Sequence, residues 1–198
     1  MRFVRRRVDG VDPAALRTLG ARHGWLVESR DALRVGAGDA LDVIDLPGDA
    51  ATPVASALGH HDLVGDEGPV GSGVVAFASL PFDPTAPGRL EVPRYVVTRT
   101  PDGATWVSSP EGDDGLDSLL GEPAPTQEPQ SLRTLTYQPT AEEYAHHVAH
   151  AVEVLRRKEI DKVVLARAVL GTVPDAIDAA AVAQRLRARE PICTIYSL

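Results

Sequence analysis

Only two of the twenty basic residues are lysine, Lys158 and Lys162; the other 18 are arginine. Under such a bias arginine fills every position where any cation serves, so a retained lysine marks a place that can use an amine. An ammonium loses its proton when desolvated, whereas a guanidinium effectively does not. Lys162 lies in Ile160-Asp161-Lys162-Val163-Val164-Leu165-Ala166-Arg167. If this run is a strand, alternation puts Lys162 on one face with Val164, Ala166 and Ala168, and turns Val163, Leu165 and Arg167 to the other. Small and aliphatic neighbours beside a long cation leave room for a cavity. Desolvation there would favour the neutral amine, the form that accepts a proton as a general base. The same pattern also fits a lysine at a strand's first residue whose ammonium reaches out to water.

The remaining reactive residues form weaker groupings. His146 and His150 stand at i, i+4 with His147 between them, but the zinc-protease pattern needs a glutamate directly after the first histidine, and His147 occupies that place. A solvated helix face without metal is expected. His60 and His61 read as loop, and spacing supplies no third ligand. Gly36, Gly38, Gly71 and Gly73 complete neither G-x-G-x-x-G nor a P-loop, and Gly73 leads toward a strand, which argues against a nucleotide cradle. Ser72 between glycines is no nucleophile elbow, because that motif needs a strand-to-helix turn. Cys193, the single cysteine, sits in an apolar run and is expected to be a buried, inert thiol.

These groups must be positioned by a chain of 198 residues, with 43% hydrophobic and 24% charged residues. That is globular composition, enough for one domain or one and a fraction at roughly 150 residues each. A net charge of −8 repels phosphate backbones and anionic lipid, so the expected partner is a small molecule, not nucleic acid or a membrane. The start MRFVRRRVDG has no apolar run of a signal peptide, and the expected location is cytoplasmic.

Asp12 and Pro13 open a short helix that ends before Gly24. Brief strands are expected at 25–29, 31–35 and 41–46, separated by Gly and Asp turns. Gly73 to Leu80, apolar on both faces, reads as a central strand ended by Pro81. Residues 94–99 and 104–108 flank Asp102-Gly103 as a hairpin. From Pro101 to Ser131 there is no Lys or Arg, seven acidic residues occur, and Pro123, Pro125 and Pro129 accumulate; this reads as a mobile acidic connector. Thr140 and Glu143 then form a capping box for a helix running to about Lys158, with Tyr144, Val148, Val152 and Leu155 at helical spacing. A strand from Lys162 to Leu170 follows, then a helix from Asp178 to Glu190 with Val182 and Leu186 inward and Pro191 as its stop, then a strand to Leu198. The expected division is a strand-rich region with its connector over 1–130 and a second region over 131–198. An apolar strand at the last residue leaves an edge unpaired, which points to a chain shorter than its fold requires.

Phe77-Ala78-Ser79-Leu80-Pro81-Phe82-Asp83-Pro84, Tyr144, Val148 and Ala151 leading into Ile160-Asp161-Lys162-Val163-Val164-Leu165-Ala166-Arg167, and Pro191-Ile192-Cys193 together resemble the chorismate-utilising enzymes. Within them the likeness is to isochorismate synthases of the menaquinone type. The relatives that install an amino group, anthranilate and aminodeoxychorismate synthases, typically carry glutamine where this chain has Lys162. The resemblance implies an α+β fold of the anthranilate synthase component I type, with large antiparallel sheets and outer helices. It also implies chorismate as substrate and Lys162 as the base that activates water. A glutamate acid and the glutamates that hold Mg2+ are implied for segments beyond Leu198, so the 198-residue chain alone is expected to be inactive. The pathway would be menaquinone or siderophore synthesis. Two alternatives stand beside this reading: a salicylate synthase of the same superfamily, which uses the lysine and then eliminates pyruvate, and a non-catalytic module that binds a partner through its terminal edge strand.

Overall fold

The computed structural model describes residues 1–46, 56, 58–83, 85–120, 128 and 130–198. The chain divides into two compact units, Met1–Gln127 with Asp178–Leu198, and Glu128–Ile177. The last 21 residues do not stay with those before them; the chain returns to the first unit.

In the first unit, strands β1 (Arg2–Val8), β2 (Leu26–Glu28), β3 (Leu33–Leu46), β4 (Asp62–Gly65), β5 (Phe77–Ser79), β6 (Gly88–Arg99), β7 (Thr105–Pro110) and, from the end of the chain, β10 (Ile195–Ser197) form one sheet. Its order is β10-β2-β3-β6-β7-β1-β4, with β5 on β6, and every pairing is antiparallel except β1 with β4. Helices α1 (Pro13–His23), α2 (Leu116–Leu120) and α4 (Ala179–Arg189) belong to this unit. Alternate residues of the strands, Leu26, Leu33, Val35, Val97, Val107 and Ile195, share one core with Leu16 and Leu19 of α1, Leu116 of α2, and Ala180 and Ala183 of α4.

Helix α1 begins and ends as its residues dictate. Asp12 Oδ1 accepts from the Ala14 N–H at 3.0 Å, and Gly24 closes the helix at φ 79°, a conformation that costs glycine nothing. Two of the expected strands, 31–35 and 41–46, prove to be one. Gly38 (φ 77°) makes a bulge where the register to β6 shifts, between Ala37 and Ala40, so a glycine that read as a turn bends a continuous strand. The expected hairpin forms between β6 and β7, Arg99 facing Thr105.

The central strand expected at 73–80 does not form. Only Phe77–Ser79 pairs, and only with Arg89–Glu91 of β6. β3 occupies one edge of β6 and β7 takes Val96–Arg99 on the other, so the part of that second edge at residues 92–95, which residues 73–76 would face, has no described partner strand. The preceding loop, 66–73, instead lies over the face of the sheet opposite the helices, where side-chain donors take its carbonyls. Arg5 Nε donates to Asp66, Arg34 Nη2 to Val70, Thr98 Oγ1 to Gly71 and Ser108 Oγ to Ser72, all at 2.6–3.0 Å. Gly71, Ser72 and Gly73 are thus a structural strap, with Ser72 fully buried.

Helix α4 also turns differently from its expected face. Ala180, Ala181 and Ala183 are buried, while Leu186 is exposed. The helix packs on α1, where Gln184 Nε2 donates to Thr18 Oγ1 at 3.1 Å, and small side chains allow the two axes to approach.

The first part of the expected acidic connector is folded. Residues 105–110 are β7, and Leu116 of α2 is buried in the core. Asp113 fastens this segment: its carboxylate accepts from the Tyr95 hydroxyl, from the Gly115 N–H at 3.1 Å and from Arg94 Nε at 2.6 Å. The Tyr95 hydrogen bond, then the Gly115 N–H, then Arg94 hold this carboxyl down at about 2. A lowered native pKa gives stability that is fully present above the unfolded value and lost as pH falls toward the native one. Asp113→Asn is therefore expected to lower the urea midpoint at pH 7, with the difference from the parent shrinking between about pH 4 and pH 2. An equal difference at both ends of that window would remove Asp113 from this role. Pro84, Glu122, Pro123, Pro125 and Pro129, which carried other sequence readings, lie outside the described residues.

The second unit holds the two-stranded antiparallel sheet β8 (Thr134–Gln138) with β9 (Ala168–Thr172), and helix α3 (Ala141–Arg156). The capping box forms as read: Glu143 N–H donates to Thr140 Oγ1, and Glu143 Oε2 accepts from the Thr140 N–H at 2.8 Å. No described helix is long and apolar enough to cross a membrane.

Candidate active-site segment around Lys162

The segment carrying Lys162 is not a paired strand along its whole length. Pairing starts at Ala168, opposite Gln138. Beyond Gln138 comes Pro139, which has no N–H to continue a ladder, so residues 162–167 have no strand beside them in this unit. Other contacts hold the segment. The Tyr144 hydroxyl of α3 donates to the Leu165 carbonyl at 3.4 Å; Arg167 Nε donates to the Pro139 carbonyl at 3.0 Å, and its guanidinium lies 4.5 Å from the Tyr137 ring centroid.

The alternation read from the sequence survives, but burial is reversed. Leu165 and Arg167 are half-buried, while Lys162, Val164 and Ala166 are all exposed. Lys162 therefore does not sit in the aliphatic pocket expected for it. The second unit consists of one hairpin and one helix, and these leave that face of the segment uncovered. The resulting open face carries apolar side chains: Val164 is 79% exposed, and Leu170, on the same side by alternation, is 55% exposed.

The other candidates fall as follows. His146, His147 and His150 are exposed on α3, as expected for a solvated face. No group of three or more His, Cys, Asp or Glu among the described residues could hold a metal ion. The Mg2+ implied by resemblance thus finds no fitting donor set here, and no step is routed through it. Cys193 is exposed, which corrects the expectation of a buried thiol: β10 starts only at Ile195, and Cys193 belongs to the turn before it.

Two buried polar arrangements escaped the sequence reading. His61, read as loop, has a side chain only 4% exposed; its Nε2 lies 2.8 Å from Asp42 Oδ2, and Phe3 meets its ring edge-on. Glu28 on β2 is buried with both carboxylate oxygens on Arg17 of α1, at 2.7 and 2.8 Å, while Arg187 Nε of α4 reaches Oε1 at 3.3 Å. Partners 19, 11 and 159 positions away in sequence leave no local signal; only an acidic residue in an otherwise apolar strand hinted at the second.

Comparison with known proteins agrees with the resemblance. The sequence profile of the family described as chorismate binding enzyme matches residues 25–198. Among solved structures the chain is similar to MenF, the menaquinone-specific isochorismate synthase from Escherichia coli, with a TM-score of 0.62 and 18% identity. The match covers 93% of this chain and 45% of that one, so the chain spans about half of MenF. No curated protein matches. With the mixed α+β architecture, and a profile that runs from Trp25 through the Lys162 segment to Leu198, the chain belongs to the chorismate binding enzyme family.

Proposed function

We propose that this chain forms part of an isochorismate synthase and supplies its general base, Lys162. The observation that carries the reading is the lysine itself, in Asp161-Lys162-Val163-Val164-Leu165-Ala166-Arg167, within the region the family profile matches. In the proposed reaction Lys162 takes a proton from water as the water oxygen bonds to one ring carbon of chorismate. The ring double bonds shift, and the hydroxyl on another carbon leaves with a proton from a carboxylic acid. Water enters and water leaves, so the conversion is an isomerisation without redox change. A glutamine amide could not remove that proton.

An ammonium acts as a base only after losing its own proton, and removal from water favours the neutral amine. The reading therefore requires that the apolar face of Lys162, Val164 and Ala166 be covered when substrate binds. The share of MenF that this chain does not span is the proposed source of that cover, of the acid and of the Mg2+ ligands.

Incubating the product of the complete reading frame that contains these residues with chorismate and Mg2+ should yield isochorismate, resolved by chromatography. Salicylate with stoichiometric pyruvate would replace the proposal by a lyase reading, and unchanged chorismate would overturn both. The 198-residue chain alone is expected to leave chorismate intact.

A further inference from the structure

An acidic chain gathers four of its arginines around one small depression of the first unit. The depression has a volume of about 280 Å3 and lies between the start of α1, the β2–β3 turn and the β6–β7 turn; Arg17, Arg30, Arg99, Arg187 and Glu28 line it. Glu28 is the one carboxylate among the lining residues, and its two oxygens are already engaged by Arg17 and Arg187. Four guanidinium groups against one carboxylate leave a surplus of positive charge.

Most of that surplus is held in place. Arg17 is fixed by its two-pronged bond to Glu28. Arg187 is fixed by the same carboxylate and by the Cys193 carbonyl, to which its Nη1 donates at 3.2 Å. Arg99 Nη1 donates to the Gly103 carbonyl at 2.5 Å and to Thr105 Oγ1 at 3.4 Å. Those partners orient Arg99 without neutralising it, and neither Arg99 nor Arg30 pairs with a carboxylate among the described residues. Asp12 acts on Arg17 through space, but its Oδ1 is committed to capping α1. Partly buried like charges repel, and the repulsion is relieved by an anion that brings several oxygens at once. Because three of the four side chains are already oriented, little rotamer entropy remains to be lost on binding.

We infer that this depression binds a small dianion through carboxylate or phosphate oxygens. Its lining residues all belong to the first unit and none to the Lys162 segment, so the inference does not depend on the proposed activity. A bound dianion would join α4 to β2 and to the β6–β7 hairpin, and would stabilise the first unit.

The test is thermal unfolding and calorimetric titration of the 198-residue chain with malonate and with inorganic phosphate, against sodium chloride at matched ionic strength. A saturable rise in Tm with either dianion and not with chloride is expected. Malonate alone would assign a dicarboxylate, and phosphate alone a phosphate ligand. Arg30→Glu, on an exposed turn, should weaken binding about tenfold or more while leaving the Tm without ligand near its parent value. Arg133→Glu, outside the lining residues, serves as the control for a general loss of positive charge and should leave binding unchanged. Absence of a response beyond chloride, or equal binding by Arg30→Glu, would overturn the site.

Discussion

Lys162→Ala in the chorismate-converting enzyme is expected to lower isochorismate formation by about 10²- to 10⁴-fold, the range that a positioned general base contributes. The loss should fall on kcat more than on KM, because the amine acts on water in the transition state and not on bound chorismate. Folding should be untouched. Lys162 is exposed, with no hydrogen bond or ion pair to another described residue, so its removal exposes no buried partner and opens no cavity. Far-UV circular dichroism and Tm of the variant should overlay the parent. Two further substitutions separate base from charge. Lys162→Arg keeps the cation but cannot shed its proton at neutral pH, and should be as inactive as alanine; Lys162→Gln keeps the length and polarity and should fail likewise. Normal turnover by the arginine variant would mean that the position contributes charge alone, and the proposed chemistry would have to move to another residue.

How far such a reading can be taken from sequence depends on whether the signal is local. Capping residues act on N–H groups two or three positions away, so α1, α3 and the N-terminus of α4 were legible from Asp12, Thr140 with Glu143, and Asp178. The turn Asp102-Gly103 fixed the β6–β7 hairpin for the same reason. Pairing partners are another matter. Gly73 to Leu80 has the composition of a central strand, yet only Phe77–Ser79 pairs with β6, and the chain before Gly73 is held across the sheet by side-chain donors of β1, β3, β6 and β7 that lie far away in sequence. Gly38 looked like a turn because a bulge and a turn draw on the same glycine conformation. Leu186 was assigned inward by hydrophobicity, but the close approach of α4 to α1 selects alanines instead. At the candidate site the alternation of faces was legible while its burial was not, since burial depends on what packs against a segment and not on the segment alone.

Removing the buried carboxylate of Glu28 is expected to be among the most destabilising single changes in the first unit. Its side chain is 7% exposed, and those of Arg17 and Arg187 are each 20% exposed. The bond to Glu28 holds the Arg17 guanidinium above its ordinary pKa against the opposing effect of burial. Taking one member from a fully buried pair costs about 3–5 kcal/mol, because the partner charge stays desolvated and alone. Partial solvent access to both arginines reduces this, and Glu28→Ala should cost about 2–4 kcal/mol in urea unfolding of the chain. Arg17→Ala and Arg187→Ala should each cost less, since the carboxylate keeps one arginine. The energies should not add: Glu28→Ala with Arg17→Ala should be less destabilised than the sum by about 0.5–3 kcal/mol. The loss should also be local in a way that tests the geometry. Arg187 is a link from α4 to β2 that spans most of the chain, so amide exchange in Glu28→Ala should accelerate first in Ala179–Arg189 and leave α3 unchanged. Replacing all three by apolar residues, Glu28→Leu with Arg17→Met and Arg187→Met, should recover most of the lost stability, because the penalty lies in an unmatched charge and not in a missing attraction. If Glu28→Ala unfolds within about 0.5 kcal/mol of the parent, the ion pairs are exposed contacts of little energetic weight, and the joining of α4 to the sheet must rest on its alanine face alone.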